Sequence, residues 1–458
     1  MPLKISRILH AGYLFACEDT VIAFDPIVEN PFSRNCHAFP GVRFDHEQVR
    51  QLRLDAVFIS HFHDDHLSLE SLDFLDRATP IYLYCIFDEL FEMIRALGFA
   101  RVERLQVDVA VQVGAIEIIP RRALDDDVDS LFQVRAGGMN VLNVVDSWIG
   151  PGTLAQLAAL APWDMVLWPF QAMREVAVIA PTLARPARAT LPDDWIAQLQ
   201  VLNPRYIVPS SCQFVQEDWS WYNHAMFPVT YRQFAREVGA AVPAATVVRL
   251  DPSVSVLLDA DGLVPAAPLP WVIPVGPQDV DFDYRPGVAP PATADIARRF
   301  PALNEHDTAL VLDFCRHGLL ARYRDMELAE DSYFQQPRLW RLSLYGHDGS
   351  VTVLHYRIDA DLIDLVPSPA PGEAPSWTTE LPLAKCHAAL VLGESLTSMY
   401  LRINDAQFDA ATLAELEEAD IVDDPLIRCL FNDAIGAYQA AQLTRLGYVL
   451  PEENRRTR

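Results

Sequence analysis

Six residues, His61-Phe62-His63-Asp64-Asp65-His66, constrain this chain more than any other stretch. They follow the apolar run Ala56-Val57-Phe58-Ile59, which reads as a buried strand, and precede a helix-like segment opening at Leu67-Ser68-Leu69-Glu70. Three imidazoles and two carboxylates packed so closely suit a metal site. Imidazole is the commonest transition-metal ligand, and carboxylates serve harder ions. In an extended segment residues two apart share a face, so His61 and His63 can converge on one ion. A turn after His63 lets Asp65 and His66 point back toward a second ion, at the roughly 3.5–4 Å spacing of two-metal sites. A histidine-rich surface loop is the plain alternative, but such loops lie in polar tracts rather than at the end of an apolar strand.

The chain has 458 residues and a formal net charge of -26, with 51% hydrophobic residues. That is globular composition with ample core material and length for two or three domains. A diffuse acidic surface argues against nucleic acid or an anionic membrane as partner and leaves a small-molecule substrate. Seven cysteines are scattered without a CxxC spacing, which fits a reducing cytosol better than a disulfide framework. The N-terminus runs almost directly into strand-like sequence without signal-peptide character, and no uninterrupted apolar span is long enough to cross a bilayer. The expected location is the cytoplasm.

Along the chain, residues 3–25 read as strands joined by a turn and ended by Asp25-Pro26. Residues 27–47 form a long loop without periodicity. The strand at 55–60 delivers the histidine motif, and a helix is expected over 67–77. Short strands follow at 81–84, 102–107, 109–113 and 115–119. Another hairpin turns at Gly137-Gly138, a strand at 165–168 ends at Pro169, a helix spans 193–202, and a strand at 206–208 ends at Pro209. The coarse class is α/β. Prolines crowd after 251 (Pro265, Pro268, Pro270, Pro274, Pro277), so 251–299 reads as a semi-rigid connector. Beyond it, 340–345 and 351–356 pair as a hairpin, 385–392 is helix-like, 398–403 a strand and 409–447 mostly helical. The expected domains are 1–250 (catalytic), 251–299 (connector) and 300–458 (a smaller α+β domain serving as lid, substrate platform or dimer interface).

The pattern His61, His63, Asp65, His66 after an apolar strand resembles the metallo-β-lactamase fold superfamily. Leu9-His10-Ala11-Gly12 and Val21-Ile22-Ala23-Phe24-Asp25-Pro26 look like its lactonase and phosphodiesterase branch. The resemblance covers roughly residues 1–250. It implies an αββα sandwich with a dinuclear metal site at one edge, His61 and His63 on one ion and Asp65 and His66 on the other. Val141-Leu142-Asn143-Val144-Val145-Asp146-Ser147 looks like the strand that ends in the family's bridging aspartate, which places Asp146 between the ions. His10 stands where that branch has a histidine near the pocket; a satisfied core histidine is the alternative. With Asp65, it is the candidate for proton handling.

Two departures from the family pattern carry chemical weight. The histidine usually found between the first motif and the bridging aspartate is missing, because no histidine occurs from 67 to 223. Its region holds Asp125, Asp126, Asp127 and Asp129, of which Asp129, entering the next strand, is the best candidate ligand. The last family histidine is missing after 206–209; His224 either returns to the site or packs among Trp219, Trp221 and Tyr222. A donor set richer in carboxylate shifts preference from zinc toward iron or manganese. The stretch from Val128 to Ser147 with Val208–Cys212 is similar to the corresponding part of CMP-sialic acid hydroxylases, although the paired Cys/His elements of a Rieske centre are lacking. Two enzyme readings follow. One is a di-iron oxygenase that hydroxylates or N-oxygenates a small metabolite with an external electron donor. The other is a hydrolase of a phosphodiester, ester or lactone using zinc or manganese. A metal-free scaffold is a third. Self-association and the choice of metal stay open.

Overall fold

The computed structural model describes residues 1–431 and 435–449. Residues 432–434 and 450–458, within the expected C-terminal helical stretch and domain, lie outside the described residues. Among the described residues no helix is long and apolar enough to cross a membrane.

The chain forms two compact units. The first comprises Met1–Ala172, Arg188–Tyr284 and residues 442–449; the second comprises Met173–Ala187 and, among the described residues, those from Arg285 to Ala441. The first unit is an αββα sandwich. One sheet has eight strands in the order Leu263–Ala266, Ser255–Leu258, Leu3–Leu9, Gly12–Cys17, Thr20–Phe24, Ala56–Ile59, Ile81–Leu83, Val102–Arg104. The other has seven: Thr246–Val247, Tyr206–Pro209, Met165–Trp168, Met139–Asn143, Ser130–Ala136, Ile116–Arg122, Val111–Val113. Their inner faces meet in one apolar core, where Phe24 packs against Phe58 and Phe132 at centroid distances of 5.5 and 4.9 Å. Alternation along each strand supplies this face. Outside, helices such as Asp193–Leu202 and Tyr231–Ala241 bury Trp195, Leu199, Phe234 and Val238.

Both sheets are mixed. Thr20–Phe24, Ala56–Ile59, Ile81–Leu83 and Val102–Arg104 run parallel, as do Met139–Asn143, Met165–Trp168, Tyr206–Pro209 and Thr246–Val247. Leu3–Leu9 points the same way as Thr20–Phe24, since each is antiparallel to Gly12–Cys17. The loops after Leu9, Phe24, Ile59, Asn143 and Pro209 therefore collect at one edge of the sandwich. Parallel-sheet ligand sites form at such carboxyl ends.

Several elements differ from the sequence expectations. Ser255–Leu258 and Leu263–Ala266 are paired strands rather than connector, added to the edge of the eight-stranded sheet. Pro265 is tolerated there because an outermost strand has one side without a ladder partner. The segment 173–187 joins the second unit, and residues 442–449 return to the first. The helix after the motif is short, Leu69–Asp73, capped by Ser68, whose hydroxyl accepts from the Ser71 N–H. Residues 397–399 form a 3-10 turn and only Arg402–Ile403 is extended.

The second unit has a five-stranded sheet in the order Leu362–Val366, Val351–Asp359, Arg338–Tyr345, Trp377–Pro382, Arg402–Ile403. Helices Glu305–Asp313 and Leu383–Leu392 pack together, as do Leu319–Asp325 and Pro425–Phe431.

Candidate metal centre

The strand Ala56–Ile59 is fully buried and ends at Ser60, where the chain leaves the sheet. His61 and His63 follow beyond the strand, and their ligand atoms converge, with His61 Nε2 2.9 Å from His63 Nδ1. The N–H groups of His66 and Leu67 then bond back to the His63 carbonyl, closing the turn that swings Asp65 and His66 inward.

Two clusters of potential ligands result. His61, His63 and Asp129 form one; His10, Asp65, His66 and Asp146 form the other, each with its ligand atoms within 4.8 Å of one another. Asp146 faces both. Its Oδ2 lies 2.9 Å from His66 Nε2, while its Oδ1 lies 3.9 Å from His61 Nε2. Asp129 stands at the entry to Ser130–Ala136, with Oδ1 3.6 Å from His61 Nδ1. Asp125 and Asp126 serve otherwise: the Asp125 carbonyl accepts from the Val128 and Asp129 N–H groups, and the Asp126 carboxylate pairs with Arg122.

A second layer sets the imidazole tautomers. The Ser60 N–H and hydroxyl both donate to the Asp25 carboxylate, at 2.8 and 2.7 Å. With its one proton so placed, the Ser60 oxygen is an acceptor for His61 Nδ1, 2.9 Å away. Asp25 also accepts from His66 Nδ1 at 2.9 Å. Both rings thus turn Nε2 into the centre, the way ligating histidines are commonly held.

His10 differs. The Cys212 N–H donates to its Nδ1 at 3.0 Å, so a neutral His10 carries its proton on Nε2, which faces Asp65 Oδ2 at 3.1 Å. The ring is thereby a donor onto Asp65. Buried Arg7 fixes this corner, donating to the carbonyls of His10, Pro209 and Ser210 and to the Tyr13 hydroxyl. Non-glycine residues with positive φ cluster in these loops: His10 at 51°, Asp25 at 38°, Val145 at 63° and Cys212 at 60°. For a β-branched residue such as Val145 that conformation is strained, and it is sustained next to Asp146.

Protonation follows from burial and crowding. Burial, with His66 and His63 nearby, pushes His61 well below the usual imidazole range. Burial and then the Asp146 charge push Asp129 up to about 6. For His66 burial acts downward but is outweighed by Asp146 and Asp65, which hold it well above the ordinary value. Burial acts upward on Asp146 but is outweighed by His66 and His61, so its carboxyl sits well below the usual range. Such a centre draws positive charge, for which protons and metal ions compete. The donor set fits metal ions on a further ground: among the described residues, Asp129 Oδ1 and Asp146 Oδ1 are buried without a hydrogen-bond partner. A buried carboxylate oxygen left in that state is costly unless a cation meets it.

His224 is a correction. It sits on the short helix Tyr222–Ala225 and joins neither cluster; its Nδ1 lies 2.9 Å from the Asp283 carbonyl. Backbone capture at this distance holds the ring where it is, and Ser210–Cys212 occupy the loop from which the missing histidine would come. Asp25 and Ser60 were not singled out from sequence; the Asp25-Pro26 punctuation and the serine preceding His61 are the signals that could have marked them.

Two mixed sheets face to face, helices outside, and the HxHxDH loop at the carboxyl edge opposite Asp146 decide the architecture. The chain has the metallo-β-lactamase fold. No family model matches the sequence, and no curated protein matches it. Among solved structures this metallo-β-lactamase-type chain is similar to Igni18, a metallo hydrolase from the hyperthermophilic archaeon Ignicoccus hospitalis, at 17% identity over 57% of this chain and 99% of that one, with a TM-score of 0.41. It is similar to CmlA, a diiron β-hydroxylase from Streptomyces venezuelae, at 18% identity over 56% of this chain, with a TM-score of 0.38; the match spans 53% of CmlA. It is also similar to isothiocyanate hydrolase from Delia radicum gut bacteria, at 14% identity over 55% of this chain and 98% of that one, with a TM-score of 0.39.

Proposed function

We propose that this protein is a dinuclear metal-dependent enzyme, with iron the favoured metal and an O2-dependent oxygenation of a small metabolite as its reaction. The observation that carries the reading is Asp129. With His61 and His63 it makes a two-histidine, one-carboxylate set, the donor pattern of non-haem iron oxygenases. Asp65, His66 and Asp146 make the other set, again carboxylate-rich, which favours iron or manganese over zinc.

Iron bound there supplies the redox chemistry of O2 activation. The chain's own residues do the rest. Asp25 and Ser60 orient His66 and His61, Asp146 ties the two sets together, and His10 holds a proton on Nε2 against Asp65. Hydroxylation of a C–H bond by O2 consumes two electrons and two protons and releases water, so an external electron donor is required. A small-molecule substrate in the cytoplasm fits the acidic surface.

Hydrolysis of a phosphodiester, ester or lactone is the second reading. It draws on the same adjacent clusters, since paired ions can lower the pKa of a water toward ~7, and on the Asp65–His10 pair as proton acceptor. Turnover of a substrate panel under anaerobic and aerobic conditions separates the two. Oxygen consumption coupled to a reductant is the expected result; undiminished activity without O2 supports hydrolysis.

A further inference from the structure

Residues 442–449 belong to the first unit and lie along Leu69–Asp73, the short helix that follows the histidine motif. Three side chains, spaced three apart, make the contact. Gln442 meets Ser68 and Leu69, Arg445 Nε donates to Glu70 Oε1 at 2.8 Å, and the Tyr448 hydroxyl donates to Asp73 Oδ1 at 3.2 Å. The two segments therefore run side by side in the same direction.

Gln442 is 0% exposed, and both ends of its amide are used. Its Oε1 accepts from the Leu69 N–H at 2.8 Å, and its Nε2 donates to Ser68 Oγ at 2.9 Å. The amide orientation is fixed, because a backbone N–H can only donate. Leu69 is the first residue of its helix, so its N–H has no partner within that helix. Ser68 caps the same helix: its Oγ accepts from the Ser71 N–H at 3.2 Å and gives its one proton to Glu29 Oε1 at 2.7 Å. Gln442 completes this cap from 374 positions along the chain. A helix of 5 residues has little stability of its own and takes its place from such contacts.

What is held here is the exit of the histidine loop. Asp65 and His66 stand three and two residues before Ser68. Their turn is anchored on one side by the His63 carbonyl, which accepts from the His66 and Leu67 N–H groups. On the other side come Ser68 and Leu69, the residues that Gln442 holds. We infer that Gln442 is a positioning residue of the metal centre: acting through Ser68 and Leu69, it fixes the backbone that presents Asp65 and His66. This rests on the dinuclear metal reading and is independent of the choice between oxygenation and hydrolysis.

Equilibrium dialysis of the full chain with Co2+ as probe, read together with the visible spectrum of the bound cobalt, tests the role. Gln442→Met keeps the side-chain length and removes both bonds. It weakens one of the two ions at least about tenfold, the low end for partners of metal ligands, leaves the other within about twofold, and shifts the cobalt spectrum. Gln442→Asn, one methylene too short to span both partners, shows the same selective loss in milder form. Val238→Ala, in the outer helix Tyr231–Ala241, is the control: it lowers stability away from the loop and leaves both affinities and the spectrum unchanged. Unchanged Co2+ binding in both Gln442 variants overturns the inference, and so does a loss that Val238→Ala reproduces, which marks lowered stability alone. An unaltered chain that binds no Co2+ up to about 1 mM overturns the dinuclear reading itself, and this inference with it.

Discussion

The Asp146 carboxylate reaches toward both histidine pairs of this centre, with Oδ2 2.9 Å from His66 Nε2 and Oδ1 3.9 Å from His61 Nε2. No other side chain among the described residues has its two oxygens so divided between the clusters. Removing them with Asp146→Ala should lower bound metal from two ions per chain to one or fewer and abolish activity. Metal analysis of the purified variant checks this; full retention of both ions would contradict the bridging role.

His10 gives the opposite expectation. Its Nδ1 is occupied by the Cys212 N–H, and its Nε2 faces Asp65 Oδ2 at 3.1 Å and His66 Nε2 at 3.2 Å; the expectation is that it positions the Asp65 carboxylate. His10→Gln should keep both ions and lower turnover by about 10–100-fold, the range for partners of metal ligands. Loss of one ion in this variant would make His10 a ligand.

Arg7 is a stability prediction. It is 0% exposed and meets four carbonyls, of His10, Pro209, Ser210 and Leu250, and the Tyr13 hydroxyl. Arg7→Met leaves those acceptors buried without a donor, at a cost on the order of 3 kcal/mol or more. Urea denaturation at fixed pH measures it; a change below about 1 kcal/mol would mean the loops at 209–212 are held by other contacts.

Glu29 predicts a pH dependence outside the centre. Burial pushes its carboxyl from 4.5 to about 7, against the opposing bond from Ser68. The folded chain therefore holds a proton there that the unfolded chain has lost, and stability is fully present below about 4.5 and declines as pH rises through about 7. Glu29→Gln should flatten the stability profile across that window, by roughly 2 kcal/mol after allowance for partial exposure. Parallel profiles for the two proteins would show that Glu29 ionises normally.

How far the sequence led can be judged at particular residues. The sandwich was legible because its strands alternate or run apolar, and Gly137-Gly138, both with positive φ, turn the hairpin where expected. The gathering of His61, His63, Asp65 and His66 at one place was legible because their spacing within one loop is local. Asp129 could be placed only as the best of several acidic residues, since a strand entry and a neighbouring turn differ by a few residues of register. His224 misled for the same reason in reverse: an isolated histidine carries no local signal of where its loop returns. The edge strands Ser255–Leu258 and Leu263–Ala266 were hidden by proline content, which reads as connector even where an edge strand tolerates it.

The central claim is that this fold holds two metal ions on a carboxylate-rich set and that iron is the preferred metal. Anomalous scattering at the iron and zinc edges, on crystals of protein purified anaerobically, tests it most directly. The account predicts two iron peaks about 3.5–4 Å apart, one among His61, His63 and Asp129 and one among Asp65, His66 and Asp146, with Asp146 between them. Two zinc peaks at these positions, with no iron signal, would contradict it.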